Sequence, residues 1–211
     1  MGYEKLMTEN RKPFGEIPFP CSACDAECCK FYTITLTAFD LFRLIEFCKR
    51  TDFLACKPVE EVRSKRDHPF FLTKKGKPGE YFLCLKRDEK EICFFYGGGH
   101  ICLVHPARPL VCRIYPLTQK ADSSITYKKK HRCPADWKMD AKTIGDAEEM
   151  IAQQDRELMG YGKFCREWNA KYSKSGSFAE FVDFMYRKGK DAVVMDEQKR
   201  ILKTEKFHKL D

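Results

Sequence analysis

The sequence predicts an α+β protein: a small cysteine-rich unit of short strands and one helix, followed by a C-terminal helical segment. Three observations predict it. Short β-branched and aromatic runs, separated by Lys/Gly-rich turns, fill residues 58–127. Helical spacing with capping signatures marks residues 37–49 and most of the chain after 138. All of the 12 cysteines except Cys165 precede residue 138.

In order, residues 1–16 are polar and aperiodic and read as an N-terminal arm. A cysteine-bearing unit spans 17–137, a helical segment packed on it spans 138–190, and 191–211 is a charged helix or tail. Pro18, Pro20 and the first cysteines form a knuckle-like loop, and Lys30 to Leu36 reads as a strand. Thr37 with Asp40 is a capping-box start for a helix carrying Phe39, Leu41, Phe42, Leu44, Ile45 and Phe47. Phe70–Leu72, Tyr81–Leu83, Ile92–Tyr96, Ile101–Val104 and Ile125–Tyr127 are strand-like. Gly97-Gly98-Gly99 lacks the strand-to-helix context of a nucleotide loop and reads as a turn. Thr143 with Asp146 opens a long helix to Tyr172, with an interruption at Gly160 and Gly162. Ser177 with Glu180 caps another, carrying Phe178, Phe181, Val182, Phe184 and Met185.

The chain has 211 residues, enough for one well-cored domain with a helical appendage. No apolar run approaches the roughly 20 residues that span a bilayer, and the start has neither a secretory h-region nor a myristoylation signal. The expected location is the cytoplasm, with no membrane partner. In that reducing compartment, clustered cysteines are metal ligands or catalytic thiols more often than disulfides.

Cys21-x2-Cys24-x3-Cys28-Cys29 is the sharpest motif. A CxxC turn lets two sulfurs face one ion, and a third four residues on can close on the same centre. If Cys29 opens a strand, its side chain diverges from that of Cys28, so the two cannot easily serve one site, and one of them would bind a second centre or sit behind the first. Cys93, Cys102, Cys112 and Cys133 form a second, spread set beside turn residues, with Cys84 just upstream. These eight (Cys21, Cys24, Cys28, Cys29, Cys93, Cys102, Cys112 and Cys133) are the candidate ligands, enough for two four-coordinate sites or one site with spare thiols. A sulfur-only set favours zinc or an iron–sulfur cluster over magnesium, calcium or a His-carboxylate iron centre. Cys48, Cys56 and Cys165 read as buried small hydrophobes, and Cys84 is divided between that role and the site.

The net charge of +8 counts every cysteine as neutral. Two four-thiolate sites at about −2 each would reduce it to roughly +4. Arg108 and Arg113, flanking Cys112, are suited to stabilise such an anionic assembly, with ordinary surface ion pairs as the bland alternative. Pro109 and Pro116 fix the turns on either side of Cys112. His100 and His105 lie near Cys102 but read first as turn or surface histidines. The basic runs Arg63 to Arg66 and Lys128-Lys129-Lys130-His131-Arg132 read first as solvated charge, with an acidic or protein partner, or nucleic acid, as the alternative.

Several of these motifs together resemble the YkgJ-type cysteine-cluster family, a zinc- or iron-chelating class. The first motif is similar to its signature. Cys93-Phe94-Phe95, Cys102-Leu103-Val104, Arg108-Pro109-x2-Cys112-Arg113-Ile114-Tyr115-Pro116 and Cys133-Pro134 resemble its C-F-L, C-x-I-Y, R-P-x-x-C-R-x-F-P and C-P-G strings, with Ala135 where Gly is usual. The likeness covers about residues 20–135 and implies short strands and a helix around a metal site. A longer relative, the flagellin lysine-N-methylase, carries a similar cysteine set associated with an iron–sulfur cluster, so the resemblance tilts the metal toward a cluster of the 4Fe-4S type, with Zn2+ as the alternative. This chain lacks most of that enzyme's additional length. The leading expectation is a metal-binding protein with a structural, redox or sensing role. The alternatives are an S-adenosylmethionine-dependent or metal-dependent protein lysine methylase-like enzyme and a zinc-stabilised nucleic-acid- or protein-binding domain.

Overall fold

The computed structural model describes residues 27–62, 68–74, 76–97, 102–129, 131–133, 139–172 and 175–207, with side chains up to residue 196. Cys21, Cys24, His100, Ile101, Gly98, Gly99, the Arg63–Arg66 run, Lys130, Pro134 and the proposed arm 1–16 lie outside the described residues.

Local capping sets the first long helix. The Thr37 hydroxyl accepts from the Asp40 amide at 3.2 Å, and the Asp40 carboxylate accepts from the Thr37 amide at 3.2 Å. This capping box starts α2 (Ala38–Cys48), which ends at Lys49 in the left-handed region, φ 52°, with its N–H on the Ile45 carbonyl. Leu41 and Leu44 form its fully buried stripe.

The expected strand over Lys30–Leu36 is replaced by a short helix, α1 (Glu27–Phe31), and an extended stretch that pairs only through a bridge between Thr35 and Cys84. The β-branched run Thr33-Ile34-Thr35 is extended as its propensity suggests, but it finds one partner residue rather than a ladder. Three strands then form an antiparallel sheet in the order β1-β3-β2: β1 (Leu54–Pro58), β2 (Phe70–Lys74) and β3 (Lys77–Leu85). Gly76, at φ +76°, supplies the positive φ in the turn from β2 to β3. Strand β1 has no counterpart among the sequence expectations. The runs at 92–96 and 101–104 form no strands among the described residues; Cys93 bridges Arg87 and Cys102 bridges Tyr96. Next come α3 (Leu110–Ile114), β4 (Leu117–Gln119) and β5 (Ile125–Tyr127), the last two paired as a hairpin. Among the described residues, the cysteine-rich part thus holds two short α-helices besides the one expected.

Helix α4 runs unbroken over Ala141–Tyr172, its first turn capped by Asp140, whose carboxylate accepts from the Thr143 amide at 2.8 Å. The cap lies upstream of the expected Thr143, and Gly160 and Gly162 interrupt nothing. Their value is room: a Cβ at Gly160 would lie 3.0 Å from the Phe39 ring, and one at Gly162 only 2.6 Å from the His68 ring. Helix α5 (Phe178–Phe207) starts at the expected capping box, the Ser177 amide donating to Glu180 at 2.8 Å, and continues through the charged end.

The main core joins α2, the sheet, the second half of α4 and α5 around Phe53, Phe70, Leu83, Trp168, Phe181 and Met185. Phe181 stacks on Phe70 at 3.5 Å between ring centres. The outer edge of β2 would leave backbone groups unpaired; α4 answers them, with Trp168 Nε1 donating to the Phe71 carbonyl at 2.8 Å and Asn169 Oδ1 accepting from the Phe71 amide at 2.8 Å. A second core, Leu110, Ile114, Leu117, Ala147, Met150 and Ile151, ties the first half of α4 to α3 and β4. The helical segment and the cysteine-rich part therefore share both cores. Among the described residues no helix is long and apolar enough to cross a membrane.

Candidate metal centre

Cys28 and Cys29 sit mid-way along α1, and both reach the same neighbourhood. The Cys29 amide carbonyl accepts from the Cys93 N–H at 2.9 Å, so α1 and the 92–96 segment are stitched together at the cysteines themselves. The Cys29 thiol lies near enough to those of Cys28 and Cys93 for the three to influence one another's protonation. That corrects the expectation that the side chains of the adjacent pair diverge. Consecutive side chains diverge by about 180° on a strand but only about 100° on a helix, so two helical sulfurs can meet.

The shared protons bias the three thiols in opposite directions. Hydrogen bonding by Cys29 brings Cys28 down to about 7 and lowers Cys93, against the opposing pull of burial. Cys29, as the donor to both, is pushed up. Cys112, at the centre of α3, is pushed well up by burial first and then by the nearby thiols of Cys93, Cys28 and Cys102, with Arg108 opposing. Cys93, Cys28 and Cys102 are thereby within electrostatic reach of Cys112, and Cys29 within reach of Cys28 and Cys93. Cys133 packs against the second core, its carbonyl accepting from His131 Nδ1 at 3.1 Å. Among the described residues, no group of three or more His, Cys, Asp or Glu side chains is placed so that it could hold a metal ion.

The remaining cysteines have other surroundings. Cys84 is fully buried with Val62 and Phe82, and Cys165 is buried in the main core. Cys48 donates to the Leu44 carbonyl at 2.9 Å, one turn back along α2. Cys56 packs against the main core from β1.

Arg108 lowers both Cys28 and Cys112 electrostatically and contacts the His105 ring. Arg113 does something else: its guanidinium donates to the carbonyls of Arg108 (2.9 Å) and Pro106 (2.8 Å), bracing the turn that leads into α3. Burial among Arg43 and Arg108 brings Arg113 down to about 10. Sequence reasoning missed Arg87. Its guanidinium donates to the Lys30 and Tyr32 carbonyls at 2.5 Å each, satisfying the C-terminal end of α1, and its charge lowers Cys93. The sequence gives no sign of this role, because Lys30 and Tyr32 lie more than 50 residues away; the ion pair with Glu91 at 2.9 Å is local.

The described part of the basic run turns back on the rim. Arg132 lies 3.6 Å above the Phe31 ring, and Lys128 lies 5.6 Å from the Tyr115 ring centre. Beside the thiols opens a cleft of about 1130 Å³ whose walls include Cys28, Tyr32, Cys112, Tyr115, Asp40 and Glu157. The cysteines that line it are Cys28 of α1 and Cys112 of α3, with the Arg108 charge acting on both. Such a set fits a thiophilic metal or cluster, whose thiolate ligands need compensating positive charge.

Residues 20–134, more than half of the chain, match the family model described as "CxxCxxCC: Putative zinc- or iron-chelating domain". No curated protein and no solved structure matches the chain significantly.

Proposed function

Because the chain belongs to the CxxCxxCC family of zinc- or iron-chelating domains, we propose that its cysteine thiolates hold an iron–sulfur cluster that serves a redox or sensing role. Metal binding is the family property; the cluster is the finer reading. One observation supports it: Cys93, Cys28 and Cys102 lie within electrostatic reach of Cys112, a sulfur-only set of the soft kind that clusters and zinc both take, and the preference for a cluster over zinc comes from the resemblance given above. Cys28, Cys93, Cys102 and Cys112, with Cys21, Cys24, Cys29 and Cys133, are the proposed ligand pool.

The protein's own residues would orient and charge-balance the centre. Arg87 fixes the end of α1 beside Cys93, and Arg108 sets positive charge against Cys28 and Cys112. When bound, an iron–sulfur cluster supplies one-electron chemistry at a potential tuned by such charges and hydrogen bonds. The cleft lined by Cys28 and Cys112 supports a role in exchange with the surroundings over a sealed structural one.

Anaerobic purification from iron-replete cells, with iron, acid-labile sulfide and zinc measured on the same sample, tests the reading. Brown protein with matched iron and sulfide is expected. Colourless protein with stoichiometric zinc and no sulfide would overturn the cluster and leave the metal as zinc.

A further inference from the structure

A buried carboxylate 70 residues away holds the helix that carries Cys112. Helix α3 has only five residues, and its N-cap, Pro109, has no side chain able to cap it. Its first amide, Leu110 N–H, instead donates to Asp40 Oδ1 at 3.1 Å in a buried contact. The other oxygen of Asp40 accepts from the Thr37 amide and hydroxyl at 3.2 and 3.0 Å. One carboxylate thus starts α2 and α3 together.

That carboxylate is tied in turn to α4. Arg43 donates to Asp40 Oδ1 at 2.8 Å and grips both oxygens of Glu157 at 2.7 Å each; Gln153 adds a donor to Glu157 at 2.8 Å. Asp40 is 4 % exposed and Glu157 7 %. The chain Glu157–Arg43–Asp40–Leu110 ends two residues from Cys112, and Glu157 lies outside the segment 20–134 that matches the family.

We infer that Asp40 is a positioning residue for Cys112, anchored through Arg43 to Glu157 of α4. The inference rests on the proposed role of Cys112 as a ligand. The physical reason is specificity of placement: a five-residue helix cannot hold itself, since nucleating one turn fixes several residues for a single hydrogen bond. Its orientation must come from outside, and a charged acceptor in a dry site gives a strong, directional restraint. Groups that orient metal ligands in this way typically change affinity 10- to 100-fold when removed.

The test compares wild type, Asp40→Ala and Asp40→Asn in two assays on the full-length protein. The first is metal release to a chromophoric chelator; the second is alkylation of the metal-free protein by iodoacetamide, resolved by peptide mass spectrometry. In Asp40→Ala, release should be about 10- to 100-fold faster, and Cys112 should alkylate faster while Cys84, fully buried in the sheet, does not change. Asp40→Asn keeps an oxygen that can accept from Leu110 and should restore the protection of Cys112. Unchanged Cys112 reactivity in Asp40→Ala overturns the inference. So does equal acceleration at Cys112 and Cys84, because the carboxylate would then be holding the whole fold rather than α3. A wild-type protein that binds no metal would sink the proposed function, while the alkylation arm still decides the role of Asp40.

Discussion

Replacing Arg43 with Met should cost more stability than any surface ion pair could. The guanidinium makes three short charge-assisted hydrogen bonds, two to Glu157 and one to Asp40. Its side chain is 18 % exposed, against 5 % for Asp40 and 8 % for Glu157. Arg43→Met fills similar space but leaves two carboxylates out of water without a cation. Breaking a buried ion pair by removing one partner costs about 3–5 kcal/mol. With a urea m-value of about 2–3 kcal/mol/M, the midpoint should fall by roughly 1–2 M. Arg43→Met/Glu157→Met removes one stranded charge as well and should recover part of the loss, since whole buried pairs are often replaceable by apolar residues. Urea unfolding followed by far-UV circular dichroism, at low and high salt, gives the numbers. A loss under about 1 kcal/mol, or one that vanishes in salt, would mean that the network is solvated and only ornamental to the core.

Two other outcomes follow from packing. Phe181→Ala removes a ring that is fully buried, stacked on Phe70 at 3.5 Å and edge-on to Trp168 at 5.3 Å. Thermal or urea unfolding should show a loss of about 3–5 kcal/mol, and a loss below about 1 kcal/mol would refute the described core. Gly189→Ala should destabilise more than Gly160→Ala: a Cβ at 189 would lie 2.2 Å from the Ala38 carbonyl oxygen, whereas at 160 it would meet the tip of the Phe39 ring at 3.0 Å. Backbone cannot step aside as a ring can, so equal melting temperatures for the two variants would contradict the close approach of α2 and α5.

What the sequence disclosed was local. The Thr37–Asp40 and Ser177–Glu180 boxes are three-residue patterns whose partners sit beside them, and both helices begin where those patterns say. The β2–β3 hairpin is local as well: the runs Phe70–Leu72 and Tyr81–Leu83 both lie in it, joined through the Gly76 turn, although β3 begins earlier, at Lys77. Strand β1 was hidden because Cys56-Lys57-Pro58 carries little β signal, and it is extended by pairing with β3, more than 20 residues on. The strand expected at Lys30–Leu36 failed for the converse reason. Its β-branched residues have the propensity, but they pair with β3 only through the single Thr35–Cys84 bridge, with backbone bonds to Leu83 and Leu85 on either side, while Cys28 to Phe31 are held as helix with Arg87 binding the carbonyls at its end.

The candidate site divides along the same line. Cysteine spacing and the family resemblance marked eight candidate ligands, of which the fold brings Cys93, Cys28 and Cys102 within electrostatic reach of Cys112. They could not tell that Cys28 and Cys29 face the same neighbourhood, because that depends on whether the backbone there is helix or strand. Arg87, Arg43, Glu157 and the reach of Asp40 beyond its own capping box to Leu110 were illegible too. Each acts on a partner that is distant in sequence, and each is an ordinary charged residue until the fold buries it.

The central claim is that the gathered thiolates hold the metal, and a cysteine-by-cysteine metal count tests it most directly. Metal per chain should be measured on anaerobically purified wild type, Cys93→Ser, Cys112→Ser and Cys165→Ser. The first two substitutions should lose most of the bound metal, while Cys165→Ser, in the main core, should retain the wild-type amount. Equal metal in all three variants, or loss only from Cys165→Ser, would contradict the account.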